Sequence, residues 1–154
     1  MSGRFGKGPH ESHINRLAMA SHGSPISSIR IEVSPGELLD RISILQIKSE
    51  RIDDPEKLKN IRHELSLYRG IYDNEIPASD AMEALIRELK SVNEALWDIE
   101  DEIRACEANK DFGDTFIDLA RRVYKTNDRR AAIKRKINLL CGSSIVEEKS
   151  YTRY

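Results

Sequence analysis

The chain has 154 residues, of which 33% are charged, 39% hydrophobic and only 6% aromatic. That length holds one domain, and the excess of charge over the usual quarter suits long solvated helices better than a β-sandwich. Twenty-five Lys and Arg against 26 Asp and Glu leave a net charge of −1, which argues against a surface built for nucleic acid or anionic lipid.

No apolar run approaches the roughly 18 residues of a membrane-spanning helix. The N-terminus also lacks the apolar core of a signal peptide, so a cytoplasmic protein is expected. Cys106 and Cys141 follow neither a metal-ligand spacing nor a disulfide framework. No cofactor is expected, since the chain carries no Gly-rich phosphate loop and no nucleophile elbow.

Residues 1–28 are rich in Gly, Ser and His and read as a flexible extension, with Met19 as a second candidate start. His10, His13 and His22 lie there, more simply as part of a tail than as a metal site. Residues 29–154 read as a single helical domain. It opens on "SIRIEV", where Ile29, Ile31 and Val33 alternate with polar residues as in a short strand. An isolated strand needs a partner, and the simplest is the C-terminal "SSIVEEKSYTRY". The alternative is that this tail packs on the Ile44 and Ile47 side of the first helix.

Four helices follow. Ser34, Pro35 and Glu37 announce the first as cap, first-turn proline and capping box, and it runs to about Arg51. Leu38, Ile42, Leu45, Ser49 and Ile52 form one seam, while Leu39, Ile44 and Ile47 project elsewhere, so this helix is expected to be buried from several sides. Asp54 and Pro55 start the second, with Leu58, Ile61, Leu65, Tyr68 and Tyr72 on one stripe. Asp80 and Glu83 form a capping box for the third. Its seam of Met82, Leu85, Leu89, Val92, Leu96, Ile99, Ile103 and Cys106 alternates steps of three and four, as in a coiled coil. After "NKDFGD" the fourth runs from about Thr115 to Cys141, ended by Gly142. Its seam, Phe116, Leu119, Val123, Thr126, Arg130, Ile133, Ile137 and Leu140, has two polar members. The expected fold is therefore all-α. Antiparallel helical hairpins form a four-helix, coiled-coil-like bundle, with a possible two-stranded β pairing of the chain ends.

The basic segment "YKTNDRRAAIKRKIN" lies on the fourth helix, opposite a third helix that holds nine Asp and Glu. For a hairpin turning near Phe112, facing residues have numbers summing to about 225. Asp98, Asp101 and Glu102 then lie across from Arg121, Arg122 and Lys125, so the stripe reads chiefly as one half of a matched pair of charged faces. It has no interleaved aromatics on which bases would stack. The same register sets Cys106 and Cys141 roughly 33 Å apart along the rod, so both are read as packing residues. Arg130 is the exception on the apolar seam, where a charge must be paired or wet. Its simplest partner is Glu94 or Asp98, in which case Arg130→Met should be tolerated. The sharper reading is an anion-binding site of Tyr124, Asn127, Arg130 and Lys134, with Arg41 and Lys48 of the first helix converging on it.

"SPGELLDRISILQIKSERI" (Ser34–Ile52), "NEALWDIEDEIR" (Asn93–Arg104), "YKTNDRRAAIKRKIN" (Tyr124–Asn138) and "EEKSY" (Glu147–Tyr151) together resemble a family of small bacterial proteins of unknown function. The similarity covers residues 29–154. The resemblance implies a bacterial, mostly helical domain and carries over no activity, substrate or catalytic residue. Two functions follow from the residues. The first is a non-enzymatic interaction or scaffold module that docks to a protein partner or to a second copy of itself. The second is a small anion-binding or chorismate-mutase-like helical enzyme that works through bundled Arg and Lys.

Overall fold

A computed structural model of the chain describes residues 28–150 and residue 152. Contacts divide the chain into Met1–Ile31 and Glu32–Tyr154, and the fold concerns the second unit. The extension and its histidines His10, His13 and His22, read above as a tail, lie outside the described residues.

All regular structure among the described residues is helical: α1 (Pro35–Arg51), α2 (Pro55–Glu75), α3 (Asp80–Asn109) and α4 (Asp114–Leu140). Local chemistry explains the starts. Ser34 Oγ accepts the Glu37 N–H at 3.2 Å, and Asp54 accepts from the N–H groups of Glu56 and Lys57. The cap of α3 is Ser79, which accepts from Met82 N–H at 3.1 Å, one residue before the expected Asp80. Neither expected capping box closes. Glu37 sends its carboxylate to Lys134 and Arg41 instead, and Glu83 sends its own to Arg87. α4 ends in a Schellman turn, with Gly142 at φ 63° and the Ser143 N–H on the Asn138 carbonyl.

α1 is the organising element. It packs against α2, α3 and α4, whereas the other interhelical packing is that of α3 on α4. This is why its apolar residues face several ways: Leu38, Leu39, Ile42, Leu45 and Ile47 are all buried. Each such side chain contributes about 1.5–3 kcal/mol when taken from water. The α3 seam is buried or half-buried from Met82 to Cys106. The α4 seam follows suit up to Ile137, but Leu140 is exposed. Cys141 is exposed rather than packed, and both cysteines are free.

No strand forms among the described residues. The pairing expected between residues 29–33 and the tail is not made there: Ile29 and Ile31 are 78% and 73% exposed. Two short strands with no apolar face to bury gain too little to hold together. The tail instead doubles back on α4, where Glu147 meets Lys134 and Glu148 meets Arg135. Among the described residues, none of the tail lines the cleft at Ile44 and Ile47.

The closest approach of α1 to α4 occurs at Gly36. A Cβ built there would lie 2.6 Å from the Lys134 carbonyl oxygen and 2.8 Å from Asn138 Oδ1. Gly36 N–H donates to that same Oδ1 at 2.7 Å. Gly70 on α2, by contrast, has nothing within 4 Å of its missing Cβ. Helix propensity alone favours Ala at both positions. The structure predicts opposite outcomes in chemical denaturation: Gly70→Ala stabilises by about 0.5–1 kcal/mol, and Gly36→Ala destabilises by about 1–3 kcal/mol.

Candidate functional site: a buried polar network between helices

Asp40 is the most constrained charge in the molecule, 2% exposed in the middle of the apolar face of α1. A carboxylate so placed must be compensated. Arg130 of α4 grips it with two donors: Nε to Oδ1 at 2.9 Å, and an Nη2 contact to Oδ2. This bidentate geometry is the strong form of the Arg–carboxylate pair. Asn93 of α3 donates to Asp40 Oδ1 at 2.9 Å and to Ser43 Oγ at 2.7 Å, and Ser43 Oγ donates to the Asp40 carbonyl at 2.8 Å. Three helices are thus joined through one carboxylate.

One turn away lies a second node. Lys134, with its side chain 11% exposed, donates to Glu37 of α1 at 2.7 Å and to Glu147 of the tail at 3.0 Å. Burial opposes its charge, yet its hydrogen bonds to Glu37 and Glu147 raise its pKa overall. The hydrogen bond to Asp40 likewise raises that of Arg130. Spacing explains the assembly: Asn127, Arg130, Lys134 and Asn138 share one face of α4, while Gly36, Glu37, Asp40 and Ser43 share one face of α1. Among the described residues no buried side-chain nitrogen or oxygen lacks a hydrogen-bond partner.

Beside this network α1, α3 and α4 bound a cleft of about 580 Å³, lined by Ile44, Ile47, Asn93, Leu96, Trp97, Glu100, Asp101, Arg104, Asn127 and Arg130. Its floor is aliphatic and aromatic, with charges of both signs at the edge. Trp97 also has the Arg51 guanidinium over its ring at 5.9 Å.

The predicted anion-site residues are brought together only in part. Arg130 and Asn127 are neighbours, with Nη1 of Arg130 at 3.4 Å from Asn127 Oδ1. Lys134 and Arg41 share Glu37. Lys48 is half-buried in the last turn of α1 and makes no ion pair among the described residues. Tyr124 is 39% exposed and does not line the cleft. The expected partners of Arg130 are corrected: Glu94 pairs with Lys90 and Asp98 with Arg51, which leaves Arg130 to Asp40. Of the predicted α3–α4 charge matches, Glu102 meets Arg122 at 3.9 Å, while Asp98 turns to Arg51; a pair outside that prediction, Glu88 with Arg129 at 3.2 Å, also joins the two helices. The two α3–α4 pairs run in antiparallel order. Asp40, Ser43 and Asn93 escaped the sequence reading, although a lone carboxylate between Leu39 and Ile42 on a helix apolar on several sides was a usable signal. Among the described residues no group of three or more His, Cys, Asp or Glu is placed to hold a metal ion.

Each segment that carried the family resemblance supplies a member of this network. The family model that matches the chain spans residues 29–154. The chain belongs to the family of unknown function DUF6165. No curated protein and no solved structure matches it. The DUF6165 chain is therefore understood from its own chemistry.

That chemistry predicts an asymmetry. Arg130→Met strands a buried carboxylate and should cost about 3–5 kcal/mol in chemical denaturation, so the tolerance expected when its partner was taken to be an α3 acid is withdrawn. Removing Asp40 leaves a guanidinium that is 28% exposed and can reach water. Asp40→Leu with Arg130→Met should recover most of the loss. Equal costs for both single changes would contradict this.

The tail carries a pH dependence. The hydrogen bond from Lys134 holds the Glu147 carboxyl below its ordinary range, assisted by the charges of Lys149 and Arg130. A group with a depressed folded pKa contributes stability above its unfolded value and loses it as pH falls through the folded value. Residues 145–149 should stay docked through mildly acidic pH and release only in stronger acid, as followed by their NMR shifts. Release within the ordinary glutamate range would count against the Lys134–Glu147 tie.

Proposed function

We propose that the chain is a non-enzymatic protein-interaction or scaffold module, cytoplasmic, that docks to a protein partner or a second copy of itself through its helical surfaces. One observation carries this reading: the chain's own carboxylates already occupy three of the four cations, Arg130, Lys134 and Arg41 but not Lys48, that an anion-binding or mutase-like enzyme would need. Asp40 takes two donors of Arg130, Glu37 and Glu147 share Lys134, and Glu37 also takes Arg41. An electrostatic catalyst needs donors aimed at where substrate charge develops, not donors already spent on buried acids.

The surfaces support the same reading. The aliphatic and aromatic floor of the cleft suits a partner side chain or helix better than a small polar substrate. Phe112, Ile117, Leu139 and Leu140 are also exposed by roughly half or more. The 17 residues of α1 against 30 in α3 cannot cover the α3–α4 pair along its length, since α1 spans roughly 25 Å and α3 roughly 45 Å. Uncovered apolar surface of this kind favours association. Four of the six cations of the basic segment are spent in the same way, with Arg129, Arg130, Lys134 and Arg135 on acids of this chain, which leaves little for nucleic acid.

The test is thermal unfolding of the full chain against phosphate, sulfate, nucleotides and small dicarboxylates. A ligand that binds only the folded state raises the midpoint by mass action. A flat panel is expected. A selective rise that vanishes in Arg130→Lys but survives in Arg135→Glu would replace this reading with an anion-binding one.

A further inference from the structure

The C-terminal segment behaves as a ligand that the chain carries for itself. Glu147 and Glu148 are adjacent, and they reach adjacent cations on α4: Glu147 to Lys134 at 3.0 Å, and Glu148 to Arg135 at 3.3 Å. The segment buries itself only in part in doing so. Ile145 and Val146 remain 41% and 43% exposed, and the two carboxylate side chains are 48% and 75% exposed. It is held by charge, and of its two ties the solvent-exposed Glu148–Arg135 pair contributes only about 0–1 kcal/mol.

The receiving surface is better built than its occupant. Ala131 and Ala132 keep the helix face low between the cations, and a cavity of about 160 Å³ remains between α4 and the tail. Asn138 lines that cavity and is 3% exposed. Its carbonyl oxygen is committed to Gly36 N–H, while its amide NH2 is given no partner among the described residues. Because no buried polar atom there lacks a partner, that donor keeps some access to solvent, on a residue that lines the cavity. Lys134 has three N–H donors and uses two of them, on Glu37 and Glu147. Donors from Lys134, Arg135 and Asn138 therefore converge on a space the tail fills only in part.

We propose that this face of α4 is a docking site for an extended acidic peptide of a partner protein, one that presents adjacent carboxylates, and that residues 143–150 occupy it in cis as a weak pseudo-ligand. The inference rests on the interaction-module reading and names a partner chemistry for it. Charge complementarity selects the partner: two neighbouring carboxylates match two neighbouring cations, and charge-assisted bonds to the Lys134–Arg135 pair set the register. A tethered occupant acts at an effective concentration on the order of millimolar, so an incoming peptide binds only if it fills the cavity better or the tail is released.

The experiment uses the full chain and the labelled peptide SSIVEEKS, the sequence of residues 143–150. Fluorescence anisotropy compares wild type with Glu147→Gln/Glu148→Gln, a double change confined to half-exposed and exposed side chains. The peptide should bind the double variant at least tenfold more tightly than wild type. Adding Arg135→Glu, at a side chain 52% exposed, should remove that binding, and the control SSIVQQKS should not bind. Equal binding to wild type and double variant, binding that survives Arg135→Glu, or no binding to the double variant at millimolar peptide would each overturn the proposal. An anion response dependent on Arg130 would overturn the preceding reading and leave this result standing, so the two fail separately.

Discussion

A carboxylate buried in the middle of an apolar helix face is the constraint from which the rest of this architecture follows. Asp40 cannot stay charged at 2% exposure without donors on hand, and α1 alone offers only the Ser43 hydroxyl nearby. The donors come from α4 as Arg130 and from α3 as Asn93. Three helices must therefore meet at one depth and in one rotation. A shift of either partner by one position along its helix would carry the donor off the facing surface and leave the carboxylate unpaired. Such a network specifies register more than it adds net stability, because desolvation offsets much of the Coulomb attraction.

Gly36 and Asn138 extend the same logic by a turn. The helices come so close there that α1 has room only for a hydrogen atom, and a first-turn N–H of α1 that has no partner within the helix is satisfied by an α4 side chain. Glu37 gives up its capping-box role for the same reason, since Lys134 stands within reach. Local helix rules and tertiary packing compete at these positions, and packing prevails because a half-buried ammonium is costlier to leave unpaired than a cap is to leave half-made.

Much of this was legible in the residues. Pro35, Asp54 with Pro55, the α3 seam and Gly142 locate the four helices closely, since caps and periodicity are local signals. The anomaly of Arg130 was also legible, as a charge on an apolar seam. Its partner was not. Within the α3–α4 hairpin sequence proximity makes pairing easy to infer, whereas Asp40 lies 90 positions from Arg130. Side-chain partners across a bundle depend on how α1 rotates about its axis, and no periodicity within α1 reports that when the helix is apolar on several sides. The tail failed for a related reason. Ile145 and Val146 suggested burial, but Glu147 and Glu148 had matched cations close by on α4, and charge placed the segment where its apolar residues gain little.

These points make the interior a fixed scaffold and leave function to the surface: the cleft beside Trp97 and the cationic face under the tail. The central claim is that Arg130 is a structural cation committed to Asp40. The direct measurement is hydrogen exchange and chemical shift of the Arg130 Nε–H by NMR, with Arg104, whose side chain is 75% exposed, as internal reference. The account predicts an Arg130 Nε–H protected by at least an order of magnitude over Arg104 and unmoved by added anions. Exchange as fast as that of Arg104, or a shift that saturates with an added anion, would contradict it.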